Sequence, residues 1–322
     1  MSTPVSNPAP ILGVDIGGTK VAVGLVDHQG KILAQGRQPM IANGTAEAGL
    51  EAVLTAIGSL SAKSTFSAIG ICAPGPLDPK TGIVLNPPNL PCWRNFPLAA
   101  RIQSHYSVNV VVDNDANAAA LAECRWGAAK GYRYVFYATI GTGIGTGIVF
   151  DGRIYHGNTG AAGEGGHVSI DYRGPICACG KRGCIEILAA GPAIAKRARE
   201  KFASGKRPSA ILDLAQGDVL SITSEMVGKA YASGDPLAKE ILLETVALLL
   251  PWLGNIVDLL DPDIIVMGGG VAAMLSPFFA DIKAQLPPWC VNPRASEVPI
   301  VMAHYGSDAG IAGGAALCAD LT

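Results

Sequence analysis

Ile11-Leu-Gly-Val-Asp15-Ile-Gly-Gly-Thr-Lys20-Val-Ala-Val-Gly-Leu-Val26 sets a pattern to which the chain returns. Ile11 to Ile16 is an apolar, β-rich run that stops at Gly17-Gly18-Thr19-Lys20. Val21 to Val26 predicts a second strand, Asp27-His28-Gln29-Gly30 a turn, and Lys31 to Gln35 a third strand. Three strands on tight turns make an antiparallel meander. The same order recurs at Tyr134–Ile140, Gly141-Thr142-Gly143, Ile144–Phe150, Asp151-Gly152 and Arg153–Tyr155. A duplicated β-β-β-α unit predicts an α/β protein of two similar lobes facing each other across a cleft.

Outward from the first meander, Glu47–Leu60 has helical spacing in Leu50, Val53, Leu54 and Ile57. Ser67–Cys72 reads as a strand ending in the turn Ala73-Pro74-Gly75-Pro76, and Asn86 to Pro91 as a proline-rich loop over a site. Val108–Val112 is a further strand. After it come Asp113-Asn114-Asp115 and an alanine-rich helix, Ala116–Glu123, which Asp113 or Asn114 can cap. Gly191–Phe202 and Glu225–Ala232 read as surface helices with a polar linker around 204–208. Gly310–Ala319 is a last alanine-rich helix.

The chain has 322 residues, of which 49% are hydrophobic, enough for about two domains and a sizeable core. A net charge of −2 argues against a nucleic-acid or membrane-surface partner recruited by a basic face. Met1–Pro10 has neither a basic region nor an apolar core, so a signal peptide is not expected. A cytoplasmic location with reduced thiols is. Ile241–Leu260 is greasy but interrupted by Glu244, Pro251 and Asp258. It therefore reads as a buried helix pair and not as a membrane span.

Three glycine turns carry chemistry. Asp15-Ile-Gly17-Gly18-Thr19-Lys20 places a carboxylate, two permissive glycines, a hydroxyl and an ammonium in one hairpin. Its N–H groups can approach phosphate oxygens, and Asp15 can hold Mg²⁺ directly or through water. Gly141-Thr142-Gly143 repeats the glycine and hydroxyl chemistry at the equivalent point of the second meander. Gly268-Gly269-Gly270 follows the predicted strand Asp263–Met267. With Ala273 it formally matches the dinucleotide fingerprint, but no second strand ending in an acid follows, so it reads as an adenine-facing turn.

Asp115, after a strand and at the mouth of a helix, is placed to take a proton from a substrate hydroxyl, with Asn114 on the neighbouring one. Elsewhere, nine residues separate His167 from Cys177, one separates Cys177 from Cys179, and four separate Cys179 from Cys184. One imidazole and three thiols at that spacing supply a tetrahedral Cys₃His set for zinc, with Gly180 and Gly183 turning the chain. Four protein ligands leave no open position, so the metal reads as structural. Glu164 and Glu186 bracket the cluster.

Together these motifs resemble the ROK family (repressors, open reading frames and sugar kinases) of the actin-like, RNase H-like superfold. The resemblance rests on Asp15-Ile-Gly-Gly-Thr-Lys20, Asn114-Asp115-Ala-Asn117, Gly141-Thr-Gly-Ile-Gly145, Glu164-Gly-Gly-His167, Cys177-Ala-Cys-Gly-Lys-Arg-Gly-Cys184 with Glu186, and Gly268-Gly-Gly270, in family order. It implies two duplicated β-β-β-α-β-α lobes around a central cleft. The small lobe would span 1–117 plus a C-terminal helix at about 308–322, and the large, zinc-carrying lobe 118–307. It also implies transfer of the γ-phosphoryl of ATP, with Mg²⁺, to the 6-hydroxyl of a hexose by a homodimer or homotetramer. Asp115 would be the base. Gly75, Asn89, Asn114, Glu164, His167 and Glu186 would approach the sugar, and His167, Cys177, Cys179 and Cys184 would hold zinc.

Asp115-Ala-Asn-Ala-Ala-Ala120 resembles the glucokinase branch, making glucose the first choice and an N-acetylhexosamine the alternative. Polyphosphate-using relatives share the phosphate loops. The family's repressors carry an N-terminal helix-turn-helix, and with a first strand at Ile11 a kinase is expected instead. Three departures stand out. Gly165-Gly166 replaces one larger apolar residue, which predicts a looser sugar-side loop. Thr146 stands where glycine is common, which would reshape the phosphate loop. Cys92 replaces a glycine before Trp93.

Overall fold

A computed structural model describes residues 8–61, 65–205 and 208–321. The chain divides into two compact units, Met1–Arg133 with Gly147–Gly163 and His304–Thr322, and Tyr134–Thr146 with Glu164–Ala303. The expected division at 117/118 would fall inside a helix that belongs wholly to the first unit.

In the first unit the meander is β1 (Ile11–Ile16), β2 (Lys20–Val26) and β3 (Ile32–Pro39). After α1 (Ala46–Ser61) come β4 (Ala68–Ala73) and a small hairpin of β5 (Leu77–Asp78) and β6 (Ile83–Val84). Then follow α2 (Leu98–Gln103), β7 (Asn109–Asn114) and α3 (Asp115–Arg125). The sheet order is β3-β2-β1-β4-β7, with β1, β4 and β7 parallel. β4 is a continuous apolar run, and β1 is one but for Asp15, because both faces of the sheet are covered. Val53 and Ile57 of α1 join Leu12 and Val14 in one core cluster. Ile11 and Ala68 pack instead with Ile311 and Ala315 of the last helix. That helix lies so close that a side chain at Gly13 or Gly70 would run into the carbonyls of Ile311 and Gly314. Glycine is required there by space. The edge strand β3 alternates half-buried and exposed residues, as an open edge should.

The second sheet has the order β10-β9-β8-β11-β12 and repeats the first. It begins with β8 (Tyr134–Ile140), β9 (Ile144–Phe150) and β10 (Arg153–Ile154), the chain passing between units within β9. Helices α4 (Ile185–Ala189), α5 (Gly191–Ala203), α6 (Ala210–Leu214), α7 (Ser224–Ala232) and α8 (Pro236–Leu260) come next. They are followed by β11 (Ile264–Gly268), α9 (Gly269–Leu275), α10 (Phe279–Gln285), β12 (Ile300–Met302) and finally α11 (Ala309–Cys318) of the first unit. β8, β11 and β12 are parallel.

The helix pair expected over Ile241–Leu260 is one helix, α8, which runs through Pro251. Proline there removes one N–H, and the carbonyl it frees belongs to Ala247, an exposed residue with access to water. α8 is long and apolar enough to cross a membrane by composition, yet 61% of its most apolar window is buried inside the protein. Trp252 at its centre is wholly buried. Residues 206 and 207 of the expected linker lie outside the described residues.

Candidate functional site

Strand register gathers the acids of the first unit. Asp15 on β1 is level with Cys72 on β4, which is level with Asp113 on β7, all at the C-terminal ends of parallel strands. Open α/β sheets bind ligands at that end. Burial pushes the Asp15 carboxyl above its usual range, while Lys20 and Arg37 pull it back. The Cys72 thiol is pushed well above its ordinary value, by burial first and then by Asp15, Asp115 and Asp113. Cys72 is therefore an inert thiol ringed by carboxylates.

The β1–β2 turn is closed by Gly17 N–H donating to the Lys20 carbonyl at 2.9 Å, and Met40 N–H donates to Thr19 O at 3.0 Å. Thr19 and Lys20 are exposed. A Cβ on Gly18 would sit 2.7 Å from the Asn89 carbonyl oxygen, so the proline-rich loop lies against this turn. A Cβ on Gly75 would stand 3.5 Å from Asn114 Nδ2.

At the β7–α3 junction, Asn114 is the cap. Its Oδ1 accepts from Ala116 N–H at 2.9 Å and from Asn117 N–H at 3.4 Å. Asp113, 3% exposed, instead accepts from Asn114 N–H, Asn117 Nδ2 and His156 Nε2. Asp115 is the first residue of α3 and exposed, with Oδ1 accepting Ala116 N–H at 2.8 Å.

In the second unit, Gly141 N–H donates to Gly143 O at 2.9 Å, and Gly191 N–H at the start of α5 donates to Gly141 O at 2.8 Å. Gly268 pairs in register with Thr139, so the third glycine turn lies beside the second. Both open on one cavity of about 980 Å³, lined by Gly141, Thr142, Arg199, Lys229, Gly270 and Met274 among others. A cavity of that size holds a small organic cofactor. Its walls on α5 and α7 left no sequence signal beyond amphipathic helices.

The cluster has the geometry a metal needs. The ligand atoms of His167, Cys177, Cys179 and Cys184 all lie within 4.8 Å of one another. Cys177 Sγ is 3.7 Å from His167 Nδ1, and Cys179 Sγ is 3.6 Å from Cys184 Sγ. Zinc–thiolate bonds of about 2.3 Å place tetrahedral ligands about 3.8 Å apart, so the donor set fits zinc. All eight cysteines are free thiols.

Glu186 Oε2 accepts Ile144 N–H at 2.9 Å, while Oε1 lies 3.9 Å from both His167 Nδ1 and Cys177 Sγ. The Glu164 side chain is exposed, and its carbonyl accepts His167 N–H at 3.0 Å. The turn between them is not loose as expected. Gly166 is buried, with no room for a Cβ beside the Ile144 carbonyl. Gly165 N–H donates to Thr146 Oγ1 at 2.8 Å, and Gly165 O accepts from Trp252 Nε1 at 3.0 Å. Thr146 thus holds the Glu164–His167 turn. Trp252 and His156 were not foreseen, since a buried indole and a lone imidazole look like ordinary core and surface residues in sequence.

A family model described as the ROK family matches residues 11–320. Glucokinase of Streptomyces coelicolor is 33% identical over 308 residues, 95% of this chain and 96% of that protein. N-acetylmannosamine kinase of Escherichia fergusonii is 31% identical over 309 residues, 95% of this chain and 97% of that one. The crystal structure of a ROK family glucokinase from Streptomyces griseus in complex with glucose and AMPPNP superimposes with a TM-score of 0.81 at 33% identity, covering 96% of this chain and 98% of that one.

Proposed function

Because this chain belongs to the ROK family, we propose that it is an ATP-dependent hexose kinase acting on the 6-hydroxyl of glucose. The observation that carries this reading is the convergence of Gly141, Thr142 and Gly270 on one nucleotide-sized cavity. The likeness to glucokinases over nearly the whole length points to the same acceptor. N-acetylmannosamine is the second acceptor to test, given the 31% identity to a kinase of that sugar.

Phosphoryl transfer asks chiefly for positioning and charge stabilisation. Asp115 takes the proton of the 6-hydroxyl as the sugar oxygen attacks the γ-phosphorus in line, and the bond from that phosphorus to the β–γ bridging oxygen breaks so that ADP leaves. Asn114, whose Oδ1 is committed to the cap, offers Nδ2 to a neighbouring hydroxyl, with Gly75 and Asn89 lining the approach. Glu164, Glu186 and the Nε2 side of His167 bind further hydroxyls. N–H groups of Gly18, Thr19 and Lys20, and of Thr142 and Gly143, face phosphate oxygens, while the Gly17 and Gly141 N–H groups close their turns. Gly268–Gly270 faces the adenine. Asp15, a carboxylate destabilised by burial, would hold Mg²⁺ directly or through water, and the ion would supply positive charge at the phosphates. His167, Cys177, Cys179 and Cys184 would hold zinc, which would supply a structural link. A homodimeric or homotetrameric, cytoplasmic enzyme completes the proposal.

ATP turnover measured with glucose, mannose, fructose, N-acetylglucosamine and N-acetylmannosamine tests it, with polyphosphate as the competing donor. Turnover is expected with glucose; none with any sugar would sink the kinase reading. Asp115→Asn should lower kcat by about 10²–10⁴-fold, and a loss under about tenfold would remove Asp115 from the role of base.

A further inference from the structure

Two residues before Asp115, Asp113 divides its oxygens between two tasks. Oδ1 accepts the Asn114 N–H at 2.7 Å and Asn117 Nδ2 at 3.1 Å, while Oδ2 meets His156 Nε2 at 2.6 Å. Asn117 is itself 3% exposed, and its Oδ1 has no hydrogen-bond partner among the described residues. Asp113 is therefore what orients the Asn117 side chain. His156 comes from the segment after β10 and lies along a cavity of about 550 Å³ in the first unit.

The other charged groups on that cavity are Asp78, Lys80, Arg125, Arg153 and Asp320. Arg125 pairs with Asp320, and Asp78 accepts from Thr81 Oγ1 at 2.7 Å and Lys80 N–H at 3.0 Å. Asp113 is the carboxylate bonded to the imidazole.

We propose that His156 is a positioning residue for phosphoryl transfer, acting through Asp113 to fix the Asn114 backbone, the Asn117 side chain and hence the direction in which Asp115 leaves α3. The inference rests on the reading of Asp115 as base. Without a donor on Oδ2, a carboxylate buried this deeply has one unmatched oxygen and is drawn toward the cavity. Its hold on Asn114 and Asn117 then slackens, and a small misplacement of a reacting group is costly in rate. The bond to Asp113 raises the His156 pKa above its ordinary value against the opposing effects of burial and Lys80. The imidazolium thus persists to higher pH than in a free histidine.

The test compares wild type, His156→Phe and His156→Gln by steady-state kinetics with glucose and ATP from pH 5 to 9, with thermal melts as a folding check. His156→Phe should lose about tenfold or more in kcat with both KM values within about twofold. His156→Gln, which keeps an N–H donor, should recover most of that loss but lack the ionisation that the wild-type kcat profile shows above the ordinary histidine value. Wild-type kcat in His156→Phe, or equal damage in both variants, would overturn the proposal. If His156→Phe does not fold, NMR titration of the wild-type imidazole decides. A midpoint above the ordinary value supports the dyad, and one at or below it overturns it. Wild type inactive on every hexose would overturn the kinase reading and with it this role, while the titration would still read the His156–Asp113 bond.

Discussion

Thr146→Val tests how the Glu164–His167 turn is held. Thr146 is 5% exposed, and its Oγ1 accepts the Gly165 N–H at 2.8 Å. Valine keeps the shape and removes the acceptor, leaving that N–H without the bond it makes now. A buried donor left unsatisfied costs about 1–3 kcal/mol. In a unit of roughly 150 residues, each 1 kcal/mol lowers Tm by about 2–4 °C, so a drop of about 2–12 °C is expected. If the turn shifts to find another partner, part of the penalty moves into sugar binding, where 1.4 kcal/mol is about tenfold in Kd. Thermal melts and glucose calorimetry on wild type, Thr146→Val and Thr146→Ser separate the cases, since serine keeps the hydroxyl. Trp252 grips the same residue from its carbonyl side at 3.0 Å, so the turn should weaken without unfolding. Thr146→Val with wild-type Tm and wild-type glucose affinity would refute the reasoning.

Three further outcomes follow from the same geometry. Chelation should lower stability and sugar affinity together, because zinc in such sites contributes on the order of 10 kcal/mol of folding free energy in small domains; metal-free protein that binds glucose normally would contradict this. Gly270→Leu should raise the ATP KM by about tenfold with the sugar KM unchanged, since a Cβ there meets nothing within 4 Å and the side chain can only extend into open space; an unchanged ATP KM would remove Gly270 from the nucleotide site. The raised His156 pKa gives a stability increment that is complete below about 6.5, the ordinary histidine value, and is lost as pH rises through the folded value. The stability gap between wild type and His156→Gln should therefore narrow from pH 6 to pH 9 in denaturant melts, and a constant gap would count against the pairing.

Much of the fold was legible because its signals are local. Apolar runs between glycine turns marked β1, β2, β8 and β9, and alanine runs marked α3 and α11. The grouping of His167, Cys177, Cys179 and Cys184 was legible for the same reason, since spacing along the chain nearly determines it. What stayed hidden depends on distant partners. Pro251 predicted a break, yet α8 runs on because tertiary burial outweighs one lost hydrogen bond. Gly165-Gly166 predicted slack, yet Thr146, Ile144 and Trp252 pin the turn. Asp113 and Asn114 were equivalent caps on sequence grounds. Only the 2.6 Å contact with His156, 43 residues away, assigns Asp113 elsewhere and leaves Asn114 the cap.

Glu186 shows why a residue's role is poorly described by one ligand. Its Oε2 holds the Ile144 N–H that ends the Gly141–Gly143 turn, and its Oε1 lies 3.9 Å from His167 Nδ1 and Cys177 Sγ. Oε1 thus stands beside the nitrogen assigned to the metal, and not beside the Nε2 through which an outer carboxylate orients a metal-bound imidazole. Glu186 is also one of the residues assigned to a sugar hydroxyl. One side chain therefore links the Gly141–Gly143 turn to the cluster within a single unit, with no motion of the chain required. Any change that moves this carboxylate acts on the glycine turn and on the surroundings of the cluster at once.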